Sequence, residues 1–166
     1  MYYAPSPLNF NSMKFLMTRA PDDATMGAYV SELKKHDVTV LVRACEPSYN
    51  EKMIREAGIE VVDLSFSDGK APPKKVIKKW LKLVEMHFKL EDSQSKALED
   101  TTSGPAFEET EVTKLRPLTK SRIGVHCVAG LGRSPLLVVC ALIQLGGCTP
   151  MEAIKLVRES RPKTLN

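Results

Sequence analysis

His126-Cys127-Val128-Ala129-Gly130-Leu131-Gly132-Arg133-Ser134 places five residues between a thiol and a guanidinium across a glycine-bearing turn. Each residue type there suits one task in handling phosphate. Gly130 and Gly132 let the backbone turn so that successive N–H groups face one anion, and a helix starting near Arg133 adds the positive end of its dipole. The loop from Val128 through Ala129, Gly130, Leu131 and Gly132 to Arg133 is therefore the candidate substrate cradle. Arg133 can grip two phosphoryl oxygens with its planar fork and follow the charge as it spreads in a transition state. Cys127 sits in the same positive field, and such surroundings bring a thiol from about 8.5 to about 3.5–7.5. It is then a thiolate at neutral pH, able to attack phosphorus and carry the phosphoryl group. A structural turn beside an inert buried cysteine is the alternative, and that description suits Cys140, in the middle of an apolar helix.

Thiolate attack on a phosphate ester expels an alkoxide or phenoxide, and a positioned acid that protonates it is worth ~10²–10⁴-fold. Asp68 can supply the proton: it lies on the loop after an Ile59–Leu64 strand, beside Gly69 and two prolines that could set a hinge. In a second step it would act as base toward water. Asp68-Gly69 taken alone is also an ordinary turn. The chemistry calls for no metal and no cofactor.

These residues need a frame that brings strand ends together. Lys14–Thr18 reads as a first strand, followed by a helix capped by Asp22 or Asp23 with Met26, Tyr29, Val30 and Leu33 on one face. Val38–Val42 is too continuously apolar to be half exposed, as expected of a central parallel strand, and its end delivers Arg43, Ala44 and Cys45. A short helix around Asn50–Ala57 stops at Gly58, and Ile59–Leu64 is a further strand. A longer helix runs from Pro73 to about Leu90, with Val76, Ile77, Trp80, Leu83, Val84 and Phe88 inward and Lys74, Lys75, Lys78, Lys79 and Lys82 outward. That lysine face is either simply solvated or favours anionic surfaces. Glu91–Arg122 is polar and without period, and is expected to be a long insertion with a short hairpin or disorder. Ile123–Cys127 is a buried strand, Ser134–Leu145 a buried helix, and a last helix opens at Thr149-Pro150 and ends before Pro162. The fold class is α/β, a central, mostly parallel sheet flanked by helices.

The 166 residues suit one domain, 1–166, with enough core to need neither disulfides nor metal. No apolar run approaches the roughly 18 residues that cross a bilayer. Met1–Asn9 has no basic region followed by an apolar stretch, so the cytoplasm is the expected compartment. Cys45, Cys127, Cys140 and Cys148 are too irregularly spaced for a disulfide scaffold or a metal knuckle and are expected as thiols. The net charge of +4 leans mildly toward anionic partners, and no basic run with interleaved aromatics points to nucleic acid.

The loop resembles the protein tyrosine phosphatase signature, and Cys127–Arg133 is similar nearly letter for letter to the phosphatase-of-regenerating-liver (protein tyrosine phosphatase type IVA) family. Met13–Leu16, Val40–Glu46 and Asp68–Pro73 resemble segments of that family in the same order, so the likeness spans most of the chain except 91–122. It implies the dual-specificity phosphatase fold and hydrolysis of phosphotyrosine-like monoesters through a phosphocysteine intermediate. It implies Asp68 as general acid and His126 as a residue that orients the Cys127 backbone rather than an acid or base. It also implies that Cys45 can form a reversible disulfide with Cys127 under oxidation, against the simpler reading of a buried strand-end cysteine.

Two departures stand out. Leu64, Ser65 and Ser67 occupy places where the family has Trp-Pro and a second acid, which leaves Asp68 as the one matching acid and alters loop closure. Ser134 replaces the family's usual alanine; its hydroxyl can hydrogen-bond the departing thiolate, and faster turnover is expected. A phosphoinositide phosphatase is the enzymatic alternative. A weakly catalytic binding module for a membrane magnesium-transport protein is another, drawn from the resemblance, and thiol redox chemistry of the rhodanese or arsenate-reductase kind is a third. The family ends in a basic stretch and a prenylated cysteine; the residues to Asn166 show neither, so membrane association would need a tail beyond them.

Overall fold

The computed structural model describes residues 4–99 and 121–166, with side chains to Phe88 in the first stretch. Its sheet has five strands: β1 (Ser6–Phe10), β2 (Met13–Arg19), β3 (Val38–Arg43), β4 (Glu60–Asp63) and β5 (Arg122–Cys127). They lie in the order β1-β2-β5-β3-β4, and every pairing is parallel except that of β1 with β2. Helices α1 (Met26–Lys35) and α2 (Lys52–Glu56) cover one face; α3 (Lys74–Glu99), α4 (Arg133–Gln144) and α5 (Pro150–Ser160) cover the other.

Both faces are apolar because the side chains of a strand alternate. Phe15 and Met17 join Val40, Val42, Ile123 and Val125 under α3–α5, whereas Leu16 and Leu41 join Met26, Leu33 and Ile54 on the other side. Gly124 lies on the α1 side, where an added Cβ would come within 2.9 Å of Leu41 Cδ1. The absence of a side chain lets β5 sit between β2 and β3. On the opposite face Trp80, wholly buried, packs against Phe15 with ring centroids 5.7 Å apart and donates from Nε1 to Leu137 O at 2.6 Å. That bond fixes α3 against α4.

The chain passes from β2 through α1 to β3, from β3 through α2 to β4, then returns through α3 to β5 in the middle. Connections therefore diverge at the carboxyl end of β5, the crevice where open α/β sheets bind ligands. Two terminal devices hold the helix that backs this crevice. Pro150 stands in the first turn of α5, where the sequence predicts the helix to open, and Thr149 and Glu152 add a reciprocal capping box there.

The expected elements form, with five differences. Strand β1 is unforeseen: Pro7 and the polar Ser6 and Asn9 mask it, and an edge strand tolerates both. Helix α3 continues to Glu99 instead of stopping near Leu90. The stretch 91–99 holds good helix formers and neither glycine nor proline, so propensity outweighs the lost period. Arg122 belongs to β5, and the remainder of the expected insertion, 100–120, lies outside the described residues. Asp22 caps a turn before α1, accepting from Thr25 N at 2.8 Å, while Thr25 itself occupies the N-cap. Cys140 is half-buried rather than enclosed.

Replacing Trp80 by Phe is expected to cost about 1–3 kcal/mol through a lost hydrogen bond and a cavity. Urea unfolding measures it.

Candidate active site

The turn after β5 is shaped by what its carbonyls bond to. Ala20 N donates to Cys127 O at 2.9 Å and to Val128 O at 3.1 Å. Arg161 Nε donates to Gly130 O at 2.6 Å, Leu165 N to Leu131 O at 2.9 Å, and Leu136 N to Gly132 O at 3.1 Å. With these oxygens held outward, peptide N–H groups turn inward, and those of Gly130, Gly132 and Ser134 hydrogen-bond the Cys127 sulfur. Gly130 has φ +73, and a Cβ there would meet Thr18 O at 2.3 Å, so only glycine fits. Gly132, expected to serve the turn in the same way, instead has φ −118, an ordinary value, and forms the N-cap of α4.

Burial taken alone pushes the Cys127 thiol up. Hydrogen bonds from the Ser134 hydroxyl, then from the N–H groups of Ser134, Gly132 and Gly130, outweigh it and bring the thiol below its usual value. Ser134 Oγ is 3.4 Å from Cys127 Sγ and fully enclosed. Arg133 begins α4, its side chain 13% exposed, with Nη1 donating to Phe66 O at 3.1 Å and Nε 3.5 Å from Asp68 Oδ1. Asp68 thus reaches the phosphate loop from 65 residues away in the sequence, its carboxylate 81% exposed to the crevice. Its loop is tethered by Ser65 Oγ, which donates to Glu46 Oε1 at 3.0 Å.

Behind the loop lies a buried polar relay that the sequence does not disclose. Arg43 makes a two-pronged bond to Asp63 and an ion pair with Glu51 at 2.8 Å, and its guanidinium lies 5.4 Å from the Tyr49 ring centroid. Burial pushes the Tyr49 hydroxyl up, so it stays protonated and donates to His126 Nε2 at 2.6 Å. His126 is fully enclosed, and burial lowers it to about 4. The neutral ring, accepting at Nε2, carries its proton on Nδ1, 3.3 Å from Cys127 O. Cys45 Sγ lies 3.9 Å from the same Nδ1, and burial raises its thiol against the pull of Arg133.

Arg161 is the other residue the sequence conceals. It is 1% exposed, and besides Gly130 O its Nη1 bonds Ala4 O and Ser6 Oγ at 2.9 Å each. A charge this deep stands out only after folding; in sequence it follows a helix like many others.

Two measurements test these supports. Arg161→Ala is expected to release the Gly130 carbonyl and raise the Cys127 thiol, seen as a higher midpoint in the pH dependence of iodoacetamide alkylation; Arg161→Lys restores one donor and part of the shift. His126, neutral when folded down to about pH 4, takes up a proton in the unfolded chain near pH 6.5. Its contribution to stability is therefore full above pH 6.5 and is lost as pH falls toward 4, a loss on the order of 3 kcal/mol. Urea titrations of His126→Gln should lack that part of the slope.

Comparison with known proteins agrees with this geometry. The family model described as "Dual specificity phosphatase, catalytic domain" matches residues 27–166. The chain is 35% identical over 165 residues to the probable protein tyrosine phosphatase type IVA A of Dictyostelium discoideum, covering 98% of this chain and 82% of that one. It is 36% identical to the human protein tyrosine phosphatase type IVA 3, covering 98% and 78%. A solved structure of a putative protein tyrosine phosphatase from Leishmania major superposes with a TM-score of 0.74 at 31% identity, covering 99% of this chain and 93% of that one. A turn whose N–H groups converge on a cysteine, an arginine at its far end, and likeness of this extent lead to one assignment: the chain belongs to the protein tyrosine phosphatase type IVA family of cysteine-dependent dual-specificity phosphatases.

Proposed function

We propose that Cys127 is the nucleophile of this phosphatase, Arg133 the phosphoryl clamp, Asp68 the acid and base, and Ser134 the donor that eases departure of the thiolate. The observation that carries the assignment is the convergence of three backbone N–H groups and the Ser134 hydroxyl on Cys127 Sγ. A phosphoryl dianion competes with Asp68 for Arg133, so substrate binding frees the carboxyl to turn toward the leaving oxygen. The thiolate forms an S–P bond as the ester O–P bond breaks, and Asp68 gives its proton to the leaving oxygen. Asp68 then takes a proton from water, whose oxygen attacks phosphorus. The S–P bond breaks, Cys127 leaves as thiolate hydrogen-bonded to Ser134, and inorganic phosphate departs.

The substrate is read as an aryl phosphate of the phosphotyrosine type. Val128 is 63% exposed at the mouth and Ala129 is exposed beside it, an apolar shelf for a ring. With Leu131 these side chains bring no cation to the loop, which argues against a headgroup bearing several phosphates. A membrane magnesium-transport protein as partner is supported by the family resemblance alone. The disulfide between Cys45 and Cys127 is a further proposal, supported by that resemblance and by the burial of both thiols at the ends of neighbouring strands β3 and β5.

Phosphate release from phosphotyrosine peptides and from phosphoinositides separates the substrate readings. Cys127→Ser should fall below about a thousandth of wild type. Asp68→Ala should lose about 10²–10⁴-fold on phosphotyrosine peptides and less on para-nitrophenyl phosphate, whose leaving group needs no proton. Ser134→Ala should show a pre-steady-state burst of nitrophenol followed by slower turnover; unchanged turnover would remove Ser134 from the mechanism, and phosphate release by Cys127→Ser would overturn the whole.

A further inference from the structure

Between Lys70 and Lys82 the chain carries six lysines and no carboxylate, against a net charge of +4 for all 166 residues. The rest of the protein is therefore net negative, and the chain's net positive charge rests on this stretch. That stretch adjoins the active site: Lys70 is two residues beyond Asp68, and α3 starts at Lys74, at the end of the sheet where Asp68 meets Arg133.

The described lysines of α3 differ from most of those on the other helices, where Lys34 alone lacks a carboxylate and Lys35 lies 3.7 Å from Glu32. Lys52 pairs with Glu56, Lys155 with Glu159 and Arg55 with Glu51, each one turn apart. Lys74, Lys75, Lys78, Lys79 and Lys82 are all exposed, and among the described residues none has a carboxylate within 4 Å. The first turn holds no acid, and its lysines oppose the helix dipole. Such an arrangement weakens the helix and leaves an anionic partner to offset it.

Shape selects among anions. Lys74 to Lys82 runs about 12 Å along the helix axis, a line of charge that suits an extended acidic chain rather than one compact headgroup. A helix that lies on a membrane interleaves its cations with exposed apolar groups. Here Val76, Ile77 and Leu81 are half-buried, Trp80 is enclosed, and the exposed Met86 follows Glu85 beyond the lysines. The buried Trp80 likewise offers no stacking surface to a nucleic acid.

We propose that this lysine face is a docking track for an acidic segment of the phosphoprotein substrate, leading away from the phosphate loop along α3. The proposal rests on the reading of the protein as a protein phosphatase and adds the composition of the substrate: carboxylates on one side of the phosphorylated residue.

The test compares phosphotyrosine peptides with four Asp or Glu on one side or the other, a matched neutral peptide, and para-nitrophenyl phosphate. Wild type should favour one acidic peptide in kcat/KM by about five- to twentyfold at low salt, an advantage that shrinks as salt screens it. In the triple variant Lys74→Gln, Lys78→Gln, Lys82→Gln the advantage should fall within about twofold, with para-nitrophenyl phosphate turnover unchanged. The corresponding triple arginine variant should keep it. Equal turnover of acidic and neutral peptides by wild type overturns the track, as does an equal loss on both in the glutamine variant. Lysine-dependent sedimentation with phosphatidylserine vesicles, with peptide preference intact, overturns it in favour of a membrane. If no phosphopeptide is hydrolysed, the proposed function fails. The track is then decided by anisotropy of an unphosphorylated acidic peptide: lysine-dependent binding upholds it, and no binding overturns it.

Discussion

A row of peptide N–H groups pointing at one spot is a repulsive arrangement while that spot lacks an anion, and the phosphate loop must hold it before substrate arrives. The hydrogen bonds on the outside of the loop make this possible. Ala20 N, Arg161 Nε, Leu165 N and Leu136 N hold carbonyls away from the centre, and the Cys127 sulfur receives the donors so exposed. The cradle is preorganised by its back rather than by its floor, and a developing charge within it meets oriented dipoles at no reorganisation cost.

That requirement accounts for much of the molecule around it. Strand β5 is central because its carboxyl end must be supported from β2 on one side and from β3 on the other: Ala20 follows β2, and Ala44 N, after β3, donates to His126 O at 2.8 Å. Edge strand β1 brings Ser6 and the Ala4 carbonyl to Arg161, giving a buried cation the acceptors it needs. The Arg43–Tyr49–His126 relay keeps a deeply enclosed imidazole neutral and in one tautomer, so no second positive charge competes with Arg133 for the thiolate.

Asp68 stands apart from this rigid framework. Its carboxylate is held to Arg133 at 3.5 Å and otherwise faces solvent, on a loop tied to the core through Ser65, Phe66 and Pro72. The proposed acid and base sits on an open part of the site, while the Cys127 sulfur, Gly130 and Ser134 are enclosed. Lys70 follows Asp68 by two residues and the α3 lysines begin at Lys74, so the chain turns from the clamp's partner straight into its cationic stretch.

The chemistry was legible in the sequence because it is local: nine consecutive residues contain the thiol, the turn, the guanidinium and the hydroxyl, and apolar runs before and after them announce a strand and a helix. Asp68 was legible as an acid beside a turn, though its approach to Arg133 depends on strand order. The supports were not legible. Arg161 bonds a carbonyl 31 residues away, Tyr49 reaches His126 across 77, and Asp68 meets Arg133 across 65. A hydrogen bond to a backbone oxygen leaves no periodicity, and a polar residue destined for burial looks in sequence like one destined for solvent. Strand β1 was hidden for a related reason, since an edge strand needs pairing on one side only and tolerates proline and polar residues. Residue identity and spacing thus determined which reaction the protein performs; only the tertiary structure decided how the cradle is held ready, because that depends on acceptors and donors drawn together from distant parts of the chain.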